Sequence, residues 1–327
     1  MNKYLSIIIP VYNIGNYLKK CLDSIYENGI NEDEFEVILI NDGSTDNSIE
    51  IATSYKSAHT NLLIFDQINS GVSIARNKGI EISHSPYITF VDGDDWLIEG
   101  SLKQIIEFVK HLESQIDVAY FRSFVNTKNN EYVEINMWTE KFREDEQYSS
   151  DDLQKGHYMN NGSVWGAIYR KDFIVCHNLM FGENVANGED VIFNYLLYSN
   201  KPCFVFKCIP YYVVFEREGS ASRSNSLKRV SGFKNNIMYL QKIHNSSNIS
   251  VSEKHAIDAS LYYTISAATN MYIKLGEKDW HYLYELLGIS SIWKMNVPWL
   301  HWHQRFKIII INYSFHLYFK LLQFFKS

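Results

Sequence analysis

The sequence predicts an α/β fold: a mostly parallel, Rossmann-like sheet flanked by helices, followed by a mainly helical C-terminal region. Two observations lead there. Short apolar runs alternate with segments of helical spacing through the first 220 residues, the pattern of a parallel sheet covered on both faces. Two of these runs also open directly into clusters of carboxylates, and in open parallel sheets ligands bind outside the carboxyl ends of the strands.

Leu5 to Pro10 is β-branched, bounded by proline, and reads as the first strand. Asn16 to Asn28 follows with Tyr17, Leu18, Cys21, Leu22 and Ile25 at helical spacing. Further strands are predicted over Glu36–Ile40, Leu62–Asp66, Tyr87–Asp92 and Asp117–Phe121, with helices over Val72–Ser83 and Ser101–Leu112. From Asn126 to Lys155 the pattern decays into polar and charged sequence, read as an irregular, lid-like insertion. Beyond it Ser163–Tyr169 is strand-like, Val191–Tyr198 is helical, and Cys203–Lys207 and Tyr211–Phe215 read as two more strands. After Ser226 the chain is mostly helical, without repeats. These divisions put a sheet-based domain at residues 1–220 and a helical region at 221–327.

A chain of 327 residues, 46% hydrophobic and 21% charged, has ample material for a packed core. No charged-then-apolar leader precedes Leu5, so a secretory signal is not expected and the predicted compartment is the cytoplasm. Cys21, Cys176, Cys203 and Cys208 form no CxxC pair and are expected to serve as packing residues. No nucleic-acid partner is expected of a chain with formal charge −6. That charge is unevenly spread: residues 286–327 hold five Lys/Arg, ten aromatics and no Asp or Glu, while residues 1–285 carry −11. Such a basic, aromatic tail suits an anionic membrane surface.

The run Tyr87-Ile-Thr-Phe-Val empties into Asp92-Gly-Asp94-Asp95. Like charges this close repel unless a cation offsets them, and hard oxygen ligands select Mg²⁺ or Mn²⁺. If the backbone stays extended, Asp92 and Asp94 point the same way. One could then hold a ribose while the other bridges a cation to phosphates, where the ion would neutralise a diphosphate leaving group. Asp42 ends the second strand, where it either stabilises its own Asp-Gly turn or contacts the ligand; its strand-end position favours the ligand. Asp46 is the better helix cap. In Asn69–Gly79 a helix starts at glycine and carries Arg76 a turn and a half inside, on the expected ligand edge, where a helix N-terminus and a fixed guanidinium favour anions. Glu189-Asp190 opens an apolar helix, either as favourable N-terminal charge or as a general base. Neither GxGxxG nor GxxxxGK[ST] occurs, which removes the main dinucleotide and P-loop readings.

Ile8-Ile-Pro-Val-Tyr-Asn13, Asn41-Asp-Gly-Ser-Thr-Asp46, Gly71-Val-Ser-Ile-Ala-Arg-Asn-Lys-Gly79, Asp92-Gly-Asp94-Asp95 and Glu189-Asp190 occur in this order. With them, residues 1 to about 220 resemble the family 2 inverting glycosyltransferases of GT-A fold, of the bacterial surface-polysaccharide type. The resemblance implies a nucleotide-sugar donor, usually a UDP-sugar, a Mn²⁺ or Mg²⁺ ion, and single displacement with inversion at the anomeric carbon. It implies that Pro10 and Tyr12 line the nucleoside pocket, Asp42 hydrogen-bonds the base, and Asp92 contacts ribose or sugar. Asp94 would bind the metal as the last acid of the family's Asp-X-Asp, with Asp95 among the donor-binding residues and Arg76 approaching the donor. Asp190 would be the base, supported by Glu189. Arg217, Ser220 and Arg223 fall in a stretch that in relatives forms a loop near the diphosphate. Where many members have two acids before the Gly-Ser, this chain has Asn41, so only Asp42 matches there.

Two other readings compete. A sugar-nucleotide-binding module without turnover would keep the strand-end acids but lack a working base, which makes Asp190 the discriminating residue. Nucleotidyl transfer would bring a glycine- and lysine-rich loop near the N-terminus, and Val11–Gly15 offers none.

In the tail, a helix from Arg305 places Arg305, Asn312, His316, Lys320 and Gln323 on one side, with an apolar face of Phe306, Ile309, Ile310, Tyr313, Leu317, Leu321 and Phe324. Only 12 uncharged residues separate Lys307 from Lys320, whereas a bilayer crossing needs about 20. The segment either packs on protein or lies in a membrane interface with Trp293, Trp299 and Trp302 at headgroup depth. Its composition favours the membrane, which suits a glycan acceptor on a lipid carrier and a peripheral position on the cytoplasmic face of the inner membrane.

Overall fold

The computed structural model describes residues 3–27, 29–126, 131–135, 142–149, 163–185, 187–216, 226–246, 249–298 and 300–325. Arg217, Ser220, Arg223 and Trp299 lie outside the described residues, as does much of the 126–155 segment. Contacts divide the chain into two units: residues 1–149, 163–180 and 202–218 form the first, and residues 150–162, 181–201 and 219–327 the second.

In the first unit, strands β1 (Leu5–Val11), β2 (Phe35–Asn41), β3 (Leu62–Asp66) and β4 (Tyr87–Phe90) alternate with helices α1 (Gly15–Tyr26), α2 (Ser48–Ala58) and α3 (Val72–Ile82). There follow β5 (Trp96–Leu97), α4 (Ser101–Lys110), β6 (Val118–Asn126), β7 (Tyr132–Ile135), β8 (Tyr148–Ser149), β9 (Ala167–Arg170), α5 (Lys171–Cys176) and β10 (Cys203–Phe215). The strand order is β3-β2-β1-β4-β9-β6-β10-β5, with β7 beside β6 and β8 beside β10. β1 runs parallel to β2 and β4, β2 to β3, and β6 to β10. β9 is inserted antiparallel between β4 and β6, so the sheet is mixed rather than purely parallel.

Period-two alternation explains why β1 and β2 are apolar throughout. Ile7, Ile9, Val37 and Leu39 point to one core, with Leu18 and Leu22 of α1 and Ile105 of α4. Ile38 and Ile40 face the other side, against Ala75 of α3. There α3 comes so close to β1 that a Cβ on Gly79 would lie 2.3 Å from Cγ2 of Ile8. The chain steps outward from β1 to β2 to β3 and then returns to the opposite side of β1 as β4. That reversal is the topological switch, and the crevice at its carboxyl edge is where such sheets take ligands.

Three sequence expectations need correction. The two strands predicted over 203–215 are one, β10, which continues through Pro210 by shifting register against β6 on either side of it; proline has no N–H to give the ladder, so pairing skips there. Of the four cysteines only Cys21 is buried, while Cys176 and Cys208 are exposed. The C-terminal helix predicted to run unbroken from Arg305 is divided at Ser314.

The second unit is helical: α6 (Glu189–Ser199), α7 (Leu227–His244), α8 (Val251–Lys274), α9 (Trp280–Leu287), α10 (Trp302–Tyr313) and α11 (Phe315–Phe324). α8 packs against both α6 and α7. Ser250 starts α8 with a capping box completed by Glu253. Ser314 ends α10 in an extended conformation and caps α11 by accepting from the Leu317 amide at 3.2 Å. Among the described residues, no helix is long and apolar enough to cross a membrane.

Candidate active site

Three loops leave the carboxyl edge beside the switch. β1 and β2 end in register, Val11 opposite Asn41, and Val91 follows β4 by donating its amide to the Ile8 carbonyl at 3.0 Å. The segments 12–15, 42–48 and 91–95 therefore emerge side by side, and side chains lock the first two together. Asn13, held at φ 50°, accepts from the Thr45 amide at 2.8 Å. Asp46 accepts from Gly15 N at 2.9 Å and from Ser48 N, the first amide of α2, at 3.0 Å. Burial alone would raise the Asp46 carboxyl, yet the hydrogen bonds from Ser48 and Gly15 hold it below the ordinary range. Tyr12 stands 51% exposed on this edge, and Pro10 is partly buried beneath it in the chain.

Asp42 is buried and holds the loop that leads into α3. Its Oδ1 accepts from Gln67 Nε2 at 2.7 Å and Ser70 N at 2.8 Å, and its Oδ2 from Gly71 N at 2.8 Å. Gly43 permits this closeness: at φ +73° its Cβ position is 2.9 Å from the Asn69 amide nitrogen. Asn41, the departure from the family pattern, donates to Asp66 Oδ1 at 2.8 Å and accepts from Ser44 N at 3.1 Å. A carboxylate at 41 would face Asp66 directly.

Because α3 begins just after Gly71, Arg76 comes round to the β4 loop, where it is buried and its Nη2 lies 2.8 Å from Asp92 Oδ1. The acid-rich turn therefore contains a protein cation of its own. Asp95, grouped by sequence with the donor-binding residues, is only 5% exposed and turned inward: Oδ2 accepts from the Tyr212 hydroxyl at 2.8 Å, and Oδ1 from the Phe215 amide at 2.7 Å. The Tyr212 hydroxyl also accepts from the Asp92 amide at 3.0 Å, and its ring stacks on Trp165. Burial pushes the Asp95 carboxyl well above the usual carboxylate range, and Asp92 and Asp94 push it the same way. Burial, then Asp95 and Asp92, likewise raise the Tyr212 hydroxyl. Asp92 and Asp94 are the half-exposed acids of the turn.

Among the described residues, no three His, Cys, Asp or Glu side chains converge on a point that would hold a metal ion. The donor set at the turn is nonetheless compatible with Mg²⁺ or Mn²⁺, because such ions are commonly held by one or two carboxylates, with substrate phosphates and water completing the shell. Asp94 and Asp92 are the oxygen donors here that are not enclosed.

In the second unit, Gly188 at φ 139° turns the chain into α6, and Glu189 Oε2 accepts from the Gly188 amide at 3.0 Å. Glu189 and Asp190 are both partly buried in the first turn of α6. Two residues near this pair went unnoticed in the sequence. Arg229 of α7 donates to Asn187 Oδ1 at 2.8 Å and lies within the field of Glu189. Tyr263 of α8 is raised first by burial, against the lowering effect of Arg229, with Glu189 and Asp190 adding to the rise. Neither could have been found by local pattern, since they lie about 40 and 70 residues away from the pair.

Taken together, the strand order, the antiparallel insertion of β9 and the acid turn after β4 define a GT-A-like α/β fold. The chain belongs to glycosyl transferase family 2, whose family model matches residues 6–174, just over half of its length. Among its relatives, the glycosyltransferase GlyA of Streptococcus pneumoniae is 31% identical over 232 residues, 67% of this chain and 31% of that one. The poly(ribitol-phosphate) beta-glucosyltransferase of Bacillus spizizenii is 37% identical over 114 residues, 34% of this chain and 18% of that one. The chain thus spans a third or less of these two relatives. The crystal structure of S. aureus TarS 1-349 in complex with UDP-GlcNAc matches with a TM-score of 0.72 at 21% identity, over 98% of this chain and 90% of that one.

Proposed function

We propose that the chain is a metal-assisted inverting glycosyltransferase. It takes a sugar from a nucleotide-sugar, a UDP-sugar by preference, and passes it to a hydroxyl of a glycan acceptor on a lipid carrier. The setting is surface-polysaccharide synthesis at the cytoplasmic face of a membrane. The observation that carries this reading is the gathering of Tyr12, Asp42, Asp92 and Asp94, on loops, and Arg76, on α3, at one switch-point edge of the sheet. The names of the relatives, one of them a poly(ribitol-phosphate) glucosyltransferase, and the UDP-GlcNAc bound by S. aureus TarS support the donor and pathway class.

Each residue then has a task. The exposed Tyr12 ring offers a stacking surface for the base, and Asp42 fixes the loop from Gln67 to Gly71 that borders it. Arg76, oriented by its ion pair with Asp92, contributes a fixed positive charge on the side of the diphosphate. Asp94 and Asp92 would hold the divalent ion, which when bound neutralises charge on the departing nucleoside diphosphate. Asp190 accepts the proton of the acceptor hydroxyl as its oxygen bonds the anomeric carbon and the bond to the diphosphate oxygen breaks on the opposite side. Glu189, occupied with the Gly188 amide, fixes the start of the helix that carries the base.

The test separates binding from turnover. Asp94→Asn should abolish metal-dependent donor binding in calorimetric titration, whereas Asp190→Asn should bind donor as before and lose transfer by about 10² or more. Unaltered transfer in Asp190→Asn removes it from the base role. A melting-temperature screen of sugar nucleotides with Mn²⁺ identifies the donor, because a ligand that binds only the folded form raises the transition.

A further inference from the structure

We infer that the outward face of α10 and α11 is a docking surface for an anionic lipid bilayer, lying in the plane of its interface. The inference rests on the membrane setting proposed above and deepens it by naming the face. Apolar residues on these two helices divide into two rows. Ile308, Ile310, Ile311, Phe315, Tyr318, Phe319 and Leu322 are buried in the second unit, where Tyr318 pairs with the Ser266 hydroxyl at 2.7 Å and Asn312 is tied to Met295. The other row needs a different explanation. Trp302, Phe306, Ile309, Tyr313, Leu317 and Phe324 recur at intervals of three, four and seven residues, and all are more than half exposed, Trp302 reaching 79% and Tyr313 78%.

Single exposed apolar side chains are ordinary, but several on each of two successive helices mark an interaction surface. Its charge fringe identifies the occupant. Arg305 and Lys320 are exposed on the same helices, and exposed Lys294 sits 5.2 Å over the Tyr313 ring. No acidic residue follows Glu285. Aromatic and aliphatic groups with Arg305, Lys320 and Lys294 beside them match the boundary between anionic headgroups and acyl chains. The helices, of 12 and 10 residues, are about 18 and 15 Å long and separated by the break at Ser314, so neither spans the bilayer.

The tertiary structure also changes which residues take part. Trp293, expected at headgroup depth, is turned inward: its Nε1 donates to buried Asp258 at 2.5 Å, and its ring stacks 3.8 Å from His244. Ile310, counted in the apolar face by spacing, is buried in the unit, and Leu321 is half-buried. The docking row is therefore narrower than the sequence suggested and is anchored by Trp302.

The test is co-sedimentation of the whole chain with vesicles of phosphatidylcholine alone or mixed with phosphatidylglycerol, at low and high salt. The mixed vesicles should bind the protein, neutral ones much less, and salt should weaken the binding. Trp302→Ser combined with Phe306→Ser and Phe324→Ser, and separately Arg305→Glu with Lys320→Glu, should each lower partitioning at least about tenfold. Because all five side chains are exposed, melting temperature and donor binding should match the parent. Partitioning that is indifferent to lipid charge, or undiminished in the variants, overturns the inference. So does sedimentation equilibrium showing a dimer that the apolar triple variant dissolves while the parent ignores vesicles. Donor titration without vesicles reports on the proposed function separately: a chain that binds a nucleotide-sugar but no vesicles sinks only this inference.

Discussion

Replacing Asp42 by Asn tests whether this carboxylate is a ligand contact or the clasp of the loop beneath the donor edge. Its two oxygens receive three protein donors, Gln67 Nε2, Ser70 N and Gly71 N, at 2.7 to 2.8 Å. Asparagine has one acceptor oxygen. If that oxygen takes the Oδ1 position, the new NH₂ faces the Gly71 amide, donor against donor; the reverse placement strands two donors. A hydrogen bond to a charged group contributes about 1.5–3 kcal/mol and a neutral one about 0.5–1.5 kcal/mol. Losing one charged bond and weakening two others costs about 4 kcal/mol. For a unit of this size each kcal/mol corresponds to roughly 2–4 °C, so the transition should fall by roughly 8–16 °C, measured by calorimetry and by chemical denaturation. Donor affinity should fall as well, since the loop leads into the helix that carries Arg76. A variant that melts within about 2 °C of the parent but no longer binds donor refutes the clasp and makes Asp42 a direct contact.

Two further substitutions probe the framework. Gly79→Ala gains about 1 kcal/mol of helix propensity but drives a methyl to 2.3 Å from Ile8, an overpacking worth about 1–3 kcal/mol. Net destabilisation is expected, and combining it with Ile8→Ala should show a favourable coupling of about 1 kcal/mol; strict additivity would contradict the close contact. Glu36, buried on β2 opposite Ser6 of β1, would be raised by burial alone. Hydrogen bonds from Ser6 at 2.6 Å and from the His84 amide at 2.6 Å hold it below its usual value instead. A carboxylate with a lowered folded-state pKa contributes stability that is present above its unfolded pKa and lost as pH falls through the folded one. Glu36→Gln should therefore cost about 1–2 kcal/mol at neutral pH, with the gap closing below pH 4.5, the group's ordinary value. A gap that persists into that acid range would show that the charge is not what matters.

The acids of the candidate site were legible because their positions follow from local rules. An apolar run sets where a strand ends, and Asp42 and Asp92 come directly after such runs. What each carboxylate does was not legible. Asp92 and Asp95 look alike in sequence, yet one is half-exposed beside Arg76 and the other is enclosed by Tyr212 and Phe215, 117 and 120 residues further along. No window of sequence contains that pairing. Glu189 illustrates the same limit, since Arg229 and Tyr263 enter its surroundings only through packing among α6, α7 and α8.

By itself the sequence determined the alternation of strands and helices, the edge on which the acids gather and the cationic, aromatic character of the last 42 residues. These are properties of periodicity and composition, carried by neighbours along the chain. Tertiary structure decided that β9 enters antiparallel, that Asp95 turns inward while Asp92 meets a guanidinium, and which row of C-terminal aromatics is covered. Each of those depends on which distant groups fill the space around a side chain. Desolvation and hydrogen-bond satisfaction are set by that filling, so two identical aspartates three residues apart acquire different surroundings.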